Sequence, residues 1–173
     1  MKISDKKTVF KGFYEVSAVV LTDEKNNKQI KREQFNLYDS VAALVMNTNT
    51  NEVILVKQFR VGAEKEIIEI PAGKCDVKDE TLAQTIEREI MEEIGFKTDE
   101  LAQIACFYTT PGPVTEKMTL FYAKVSEKVG AGGGVEDENE QIEIISMKKE
   151  QFLSMIFEDA KTIIAQQWLQ IHG

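Results

Sequence analysis

Residues 80–94, ETLAQTIEREIMEEI, are the one strongly helical stretch in the body of a chain whose other hydrophobic runs read as strands, and five of its residues are glutamates. Gly95 follows as a helix stop. A lone amphipathic helix must lie on a sheet to bury its apolar stripe, so a mixed architecture is implied from the start. At about 100° per residue, Leu82, Ala83, Ile86, Ile90 and Ile94 share one apolar arc. Glu93 falls in angle between Leu82 and Ile86, and Glu89 beside Leu82, whereas Glu87 and Glu92 point away.

A carboxylate at the edge of a core is costly unless it is paired, protonated or bound to a cation. Glu89 and Glu93 also stand i,i+4, where like charges cost a few tenths of a kcal/mol. Arg88 is the one basic side chain between Lys78 and Lys97, so a single guanidinium faces five carboxylates. A hard divalent cation, Mg²⁺ or Mn²⁺, is the economical neutraliser. The plain alternative is a solvated charged face, which Glu87 and Glu92 fit better.

Around this helix the strands come in pairs. Residues 10–22 and 29–38 flank the polar turn DEKNNK and read as an N-terminal hairpin. SVAALVMN and EVILVKQFR, separated by TNTN, read as a second and more apolar one, and EIIEIPAG as a strand ended by Pro71 and Gly73. After the helix, QIACFYTT and KMTLFYAKV flank the corner PGPVTE. GAGGG leads into the acidic run VEDENEQ, then the short strand IEIISM and helical stretches at about 148–156 and 159–171. The expected fold is α+β with a mixed sheet, divided into an N-terminal hairpin region, 1–38, and a main domain, 39–173.

A net charge of −8 and a pI near 4.9 argue against a nucleic-acid or anionic-membrane surface, since those partners need a basic face. No apolar run approaches the ~18 residues of a membrane span, and the N-terminus lacks a signal-peptide pattern, so a cytoplasmic protein is expected. Cys75 and Cys106 lie far apart with no metal-binding spacing and read as reduced bystanders.

Residues 73–96, GKCDVKDETLAQTIEREIMEEIGF, resemble the Nudix box, G-x5-E-x7-R-E-U-x-E-E-x-G-U, with Arg88, Glu89, Ile90, Glu92, Glu93, Gly95 and Phe96 in the fixed positions. One departure stands out: six residues separate Gly73 from Glu80, and Asp79 occupies the expected spacing. VKQFR, EIPAGK, TTPGPVTEKMTLFYA, EDENEQIEI and DAKTIIAQQWLQIHG resemble the ADP-ribose pyrophosphatase branch, whose sisters hydrolyse GDP-mannose, and Pro111 lies sixteen residues beyond Gly95, as in that branch. The resemblance implies a Nudix α/β/α sandwich that hydrolyses the pyrophosphate of a nucleoside diphosphate sugar, ADP-ribose first. It also implies a homodimer whose N-terminal strands cross to the partner.

By the same resemblance, the metal ligands are Glu89, Glu93, the Ala72 carbonyl and Glu140, with Glu92 joining through water or a second metal and Arg88 orienting the glutamates. Glu138 is the expected general base, on a loop hinged by GAGGG. Arg60, and more weakly Arg32, suit a phosphate or the terminal ribose. Phe13 or Tyr14 stacks on the base or else packs in a strand core, and Glu116, behind a stiff Pro-Gly-Pro corner, holds a fixed contact. Trp168 reads as a packing residue, and His172 as non-catalytic. Competing readings are a GDP-mannose or other nucleotide-sugar hydrolase, and a non-catalytic binding module, which would require broken box glutamates.

Overall fold

The structure, a computed structural model, describes residues 1–134 and 141–173. The chain divides into two compact units, residues 1–39 with 107–118, and residues 40–106 with 119–173.

In the first unit β1 (Lys2–Lys11), β2 (Glu15–Thr22) and β3 (Gln29–Asn36) form an antiparallel sheet in that order. β2 and β3 are the expected hairpin, paired from Glu15↔Asn36 to Thr22↔Gln29. Reading 10–22 as one strand proves wrong. The chain turns at Gly12, whose N–H donates to the Tyr14 carbonyl at 2.9 Å, and the preceding residues pair back along β2 as β1. Every residue of β1 is exposed, so no buried face imposes an alternation that a sequence could display. The Pro-Gly-Pro corner is held to β3: Phe35 N–H donates to Pro113 O at 2.7 Å, and Thr115 N–H to Phe35 O at 3.1 Å.

The second unit is built on β4 (Ser40–Asn47), β5 (Glu52–Arg60), β6 (Lys65–Glu69), β7 (Ala72–Lys74), β10 (Glu143–Lys148) and all but residues 107–108 and 117–118 of β8 (Phe96–Tyr108) and β9 (Lys117–Lys128). They form a mixed seven-stranded sheet ordered β10-β5-β4-β9-β8, with β6 on β5 and β7 on β4. Alternation splits the apolar residues between two faces. Val41, Ala43, Val45, Ile54, Val56, Phe121, Ala123 and Val125 form one core cluster with Ile86, Ile90 and Ile94 of the glutamate helix. Ala42, Leu44, Val53 and Leu55 are buried on the opposite face. There α2 (Lys149–Ser154) lies against β5 and α3 (Ala160–His172) against β4. This is the expected α/β/α sandwich. Trp168 packs on Tyr122 and stacks on His172, with ring centroids 5.2 and 4.9 Å apart. No helix among the described residues is long and apolar enough to cross a membrane.

The glutamate helix is two pieces. α1 (Leu82–Glu89) begins with a capping box between Thr81 and Gln84 and passes into a π-helical turn, Ile90–Ile94, closed by Gly95 at φ 76°. Leu82 and Ala83, expected on the apolar arc, are exposed. A wheel of uniform winding does not hold across a π turn, and the four-residue spacing of Ile86, Ile90 and Ile94 is what faces the core, all three fully buried. Each contributes about 1.5–3 kcal/mol on burial. That outweighs the like-charge repulsion the helix carries, so packing can hold the glutamates together before any cation arrives.

Candidate active site

Arg88 sits at the join between α1 and the π turn and gathers three carboxylates. Its Nη1 donates to Glu89 Oε1 at 2.8 Å and to Glu92 Oε2 at 2.9 Å. Its Nε and Nη2 reach the two oxygens of Glu80 at 3.2 and 3.3 Å. Burial works against the charged guanidinium, but the Glu80 bond and the charges of Glu89 and Glu92 outweigh it and raise its pKa above the ordinary value. The Arg88 bond in turn holds the Glu80 carboxyl below the usual carboxylate range; partial burial opposes this and the Thr85 hydroxyl assists. Three carboxylates on one guanidinium leave two negative charges in this set.

The longer loop before Glu80 has a local explanation. Asp79 adopts φ 66°, the left-handed region that few residues other than glycine, asparagine and aspartate enter readily. Glu80, one position beyond the spacing expected of the box, is the residue that meets Arg88. Asp79 is therefore the added residue in function, and Glu80 keeps its place in the Arg88 set.

Glu93 lies in the π turn and is only 3% exposed, and its Oε2 accepts the Ala72 N–H at 3.2 Å. Ala72 opens β7, paired with Ala42 of β4, so a sheet strand holds the backbone on which Glu93 rests. Glu89 lies over Gly73: a Cβ built there would stand 2.0 Å from the Glu89 carboxyl carbon. Glycine is required at this position because the carboxylate occupies the space a side chain would fill. The sequence places Glu89 and Glu93 at the core edge, and the structure brings both to the start of β7.

The near end of the expected hinge is bonded to the end of the glutamate helix. Gly133 N–H donates to Glu93 O at 2.8 Å and Gly134 N–H to Glu92 O at 3.1 Å, while Val129 and Gly130 N–H both donate to Gly95 O. Gly132, Gly133 and Gly134 all have positive φ. The glycines act here as a cap on the open carbonyls of the π turn, and their conformational freedom is used to make those bonds. Glu138 and Glu140 lie outside the described residues.

Arg60, at the end of β5, donates from Nε to Glu69 Oε1 at 2.5 Å, and Glu69 also accepts from Lys161 Nζ. Sequence reasoning missed Glu69 and Lys161. Each reads as an ordinary charge, 92 residues from its partner, so no local spacing links them. Arg32, Phe13, Tyr14 and Glu116 belong to the first unit. Arg32 is exposed on β3, with Nη1 donating to the Lys31 carbonyl. Phe13 and Tyr14 form an edge-to-face pair at 4.9 Å and are 83% and 54% exposed, which excludes the strand-core alternative for both within this unit. Glu116 Oε2 accepts from the Thr109 hydroxyl at 2.7 Å.

Glu89, Glu92, Glu93 and the Ala72 carbonyl are all oxygen donors, and Glu93 is held in a buried position, which fits a hard divalent cation. Among the described residues, no group of three or more His, Cys, Asp or Glu side chains is already disposed to hold a metal. The Arg88 bonds engage one oxygen each of Glu89 and Glu92, and the Ala72 bond one of Glu93.

The NUDIX domain profile matches residues 37–167. The chain is 37% identical over 150 residues to the ADP-ribose pyrophosphatase of Bacillus subtilis, a match covering 84% of this chain and 80% of that one. It is 35% identical over 150 residues, with the same coverage, to the methanol dehydrogenase activator of Bacillus methanolicus. The GDP-mannose pyrophosphatase of Escherichia coli K12 is 35% identical over 152 residues, covering 81% and 78%. A crystal structure of an ADP compounds hydrolase superposes with a TM-score of 0.77, covering 99% of this chain and 95% of that one at 20% identity, a likeness of fold.

Proposed function

The chain belongs to the Nudix family, and from that premise we propose that it hydrolyses the pyrophosphate bond of ADP-ribose to AMP and ribose 5-phosphate with Mg²⁺ or Mn²⁺. The observation that carries this reading is the intact carboxylate set around Arg88 and β7, where a non-catalytic module would have lost its glutamates. Glu89, Glu93, the Ala72 carbonyl and Glu140 would hold the cation, with Glu92 at its edge. When bound, the cation supplies neutralising charge for the pyrophosphate and acidifies water. Arg88 keeps the glutamates converging by charge-assisted bonds. Arg60 receives a phosphate or the terminal ribose, with Arg32 in a lesser role of the same kind, and Glu138 takes the proton of the attacking water. In the homodimer the exposed Phe13 and Tyr14 offer aromatic faces for the base, and the wholly exposed β1 offers a surface for the second copy.

The test is incubation with ADP-ribose, GDP-mannose and other nucleoside diphosphate sugars in Mg²⁺, with chromatographic identification of products. AMP with ribose 5-phosphate is the expected pair. GMP with mannose 1-phosphate as the faster products would move the assignment to the sister activity. Absence of turnover on every substrate would leave the binding-module reading.

Gly73→Ala tests the carboxylate placement. The added methyl meets the far end of a flexible side chain, so the fold should survive while Glu89 is pushed aside. Mn²⁺ affinity, read by titration calorimetry, should fall about 10–100-fold, the range seen when the support of a metal ligand is disturbed. Unchanged affinity would remove Glu89 from the ligand set.

A further inference from the structure

Arg60 is one end of a buried network that runs to the C-terminal helix. Glu69 closes β6 with its side chain 3% exposed, and its two oxygens are divided between two cations, Oε1 with Arg60 Nε and Oε2 with Lys161 Nζ. Lys161, buried in the first turn of α3, also donates to Asp159 Oδ1 at 3.0 Å. Asp159 caps α3 through its other oxygen, which accepts from the Thr162 N–H at 2.9 Å and hydroxyl at 2.6 Å. Thr162 Oγ1 then accepts from Ile70 N–H at 3.0 Å, so the start of α3 grips the segment that leads to β7 at two consecutive residues.

The geometry of Glu69 is unusual for an arginine partner. A carboxylate facing a guanidinium favours the paired fork, two parallel N–H to O bonds. Here Glu69 takes only Nε, because Lys161 holds the second oxygen. Among the described residues nothing takes the Nη1 and Nη2 groups of Arg60. The Arg60 side chain is 40% exposed, and with Ala63, Ile67 and Glu158 it lines a cavity of about 300 Å³.

We propose that Lys161 is a positioning residue for the reaction: by holding one oxygen of Glu69 it prevents the Glu69–Arg60 fork and keeps the Nη edge of Arg60 available to an anionic group of the substrate. This rests on the substrate role of Arg60 in the function proposed above. Without Lys161, Glu69 would swing onto that edge and compete with substrate.

The experiment is a double-mutant cycle on the full chain at saturating Mg²⁺, with KM, kcat and Tm measured for wild type, Arg60→Ala, Lys161→Met and the double variant. Lys161→Met should raise KM about tenfold with kcat within about threefold, the loss expected when a charge-assisted substrate contact is blocked and the chemistry is not. Lys161→Arg, which can still hold Glu69, should recover most of that loss. In the Arg60→Ala background Lys161→Met should add less than about twofold, because coupled residues are non-additive. An equal KM increase in both backgrounds, or none in either, overturns the positioning role while leaving Arg60 in place. Wild-type KM for Arg60→Ala would instead remove the substrate role of Arg60, and this inference with it. Should Lys161→Met not fold, Lys161→Ala, which has no donor toward Glu69 and leaves room for water beside it, takes its place in the cycle with the same expected outcomes.

Discussion

Glu93→Gln should lower kcat on the order of 10³-fold or more, about 4 kcal/mol of barrier, while the protein remains folded. The amide keeps an oxygen that can accept the Ala72 N–H, so the bond between the π turn and β7 survives the change. What is lost is the charge. Glu93 is almost wholly buried beside a set already carrying three carboxylates on one arginine, so removing one negative charge should leave Tm in chelator unchanged or higher. The same substitution should weaken Mn²⁺ binding, read independently of turnover. A structural residue would behave in the opposite way, with Tm falling and metal affinity holding. A variant with near wild-type kcat at saturating Mg²⁺ would exclude Glu93 from the metal site.

Glu138→Gln should cost on the order of 10²–10⁴ in kcat, the usual worth of a general base, with little change in KM or Mg²⁺ dependence. Glu140→Gln, by contrast, should also weaken the metal. Two glutamates outside the box helix compete for the role of base. Glu116 accepts from Thr109 behind a corner that is itself bonded to β3, which suits a fixed contact. Glu138 follows Gly134 by four residues, and the Gly134 N–H is anchored on the Glu92 carbonyl at 3.1 Å. A large kcat loss for Glu116→Gln with Glu138→Gln near wild type would reverse the assignment. The KM-against-kcat split is the deciding readout, since an altered substrate contact would raise KM.

How far the sequence could be read depended on whether an interaction was local along the chain. The unbroken apolar runs of β4 and β5, buried on both faces, the Gly95 stop and the isoleucines at four-residue spacing all report on their own neighbours, and the sandwich follows from them. The glutamate set was legible for the same reason: Arg88, Glu89, Glu92 and Glu93 lie within six residues, and their charge imbalance is visible without coordinates. β1 was not legible, because a strand exposed at every position carries no burial pattern. The π turn was not either, since a period assumes uniform winding and the winding changes at Ile90.

By itself, then, the sequence determined which residues carry the negative charge, which stripe of the helix enters the core, and that the helix lies on a sheet. Tertiary structure alone decided three things: that Glu80 and not Asp79 meets Arg88, that the glycines cap the π turn, and that Glu69 is shared between Arg60 and Lys161. The physical reason is common to all three. Each depends on where a backbone turns in the left-handed region or on which distant strand and helix end close on the same carboxylate. Such choices are settled by directional hydrogen bonds between segments that periodicity does not connect.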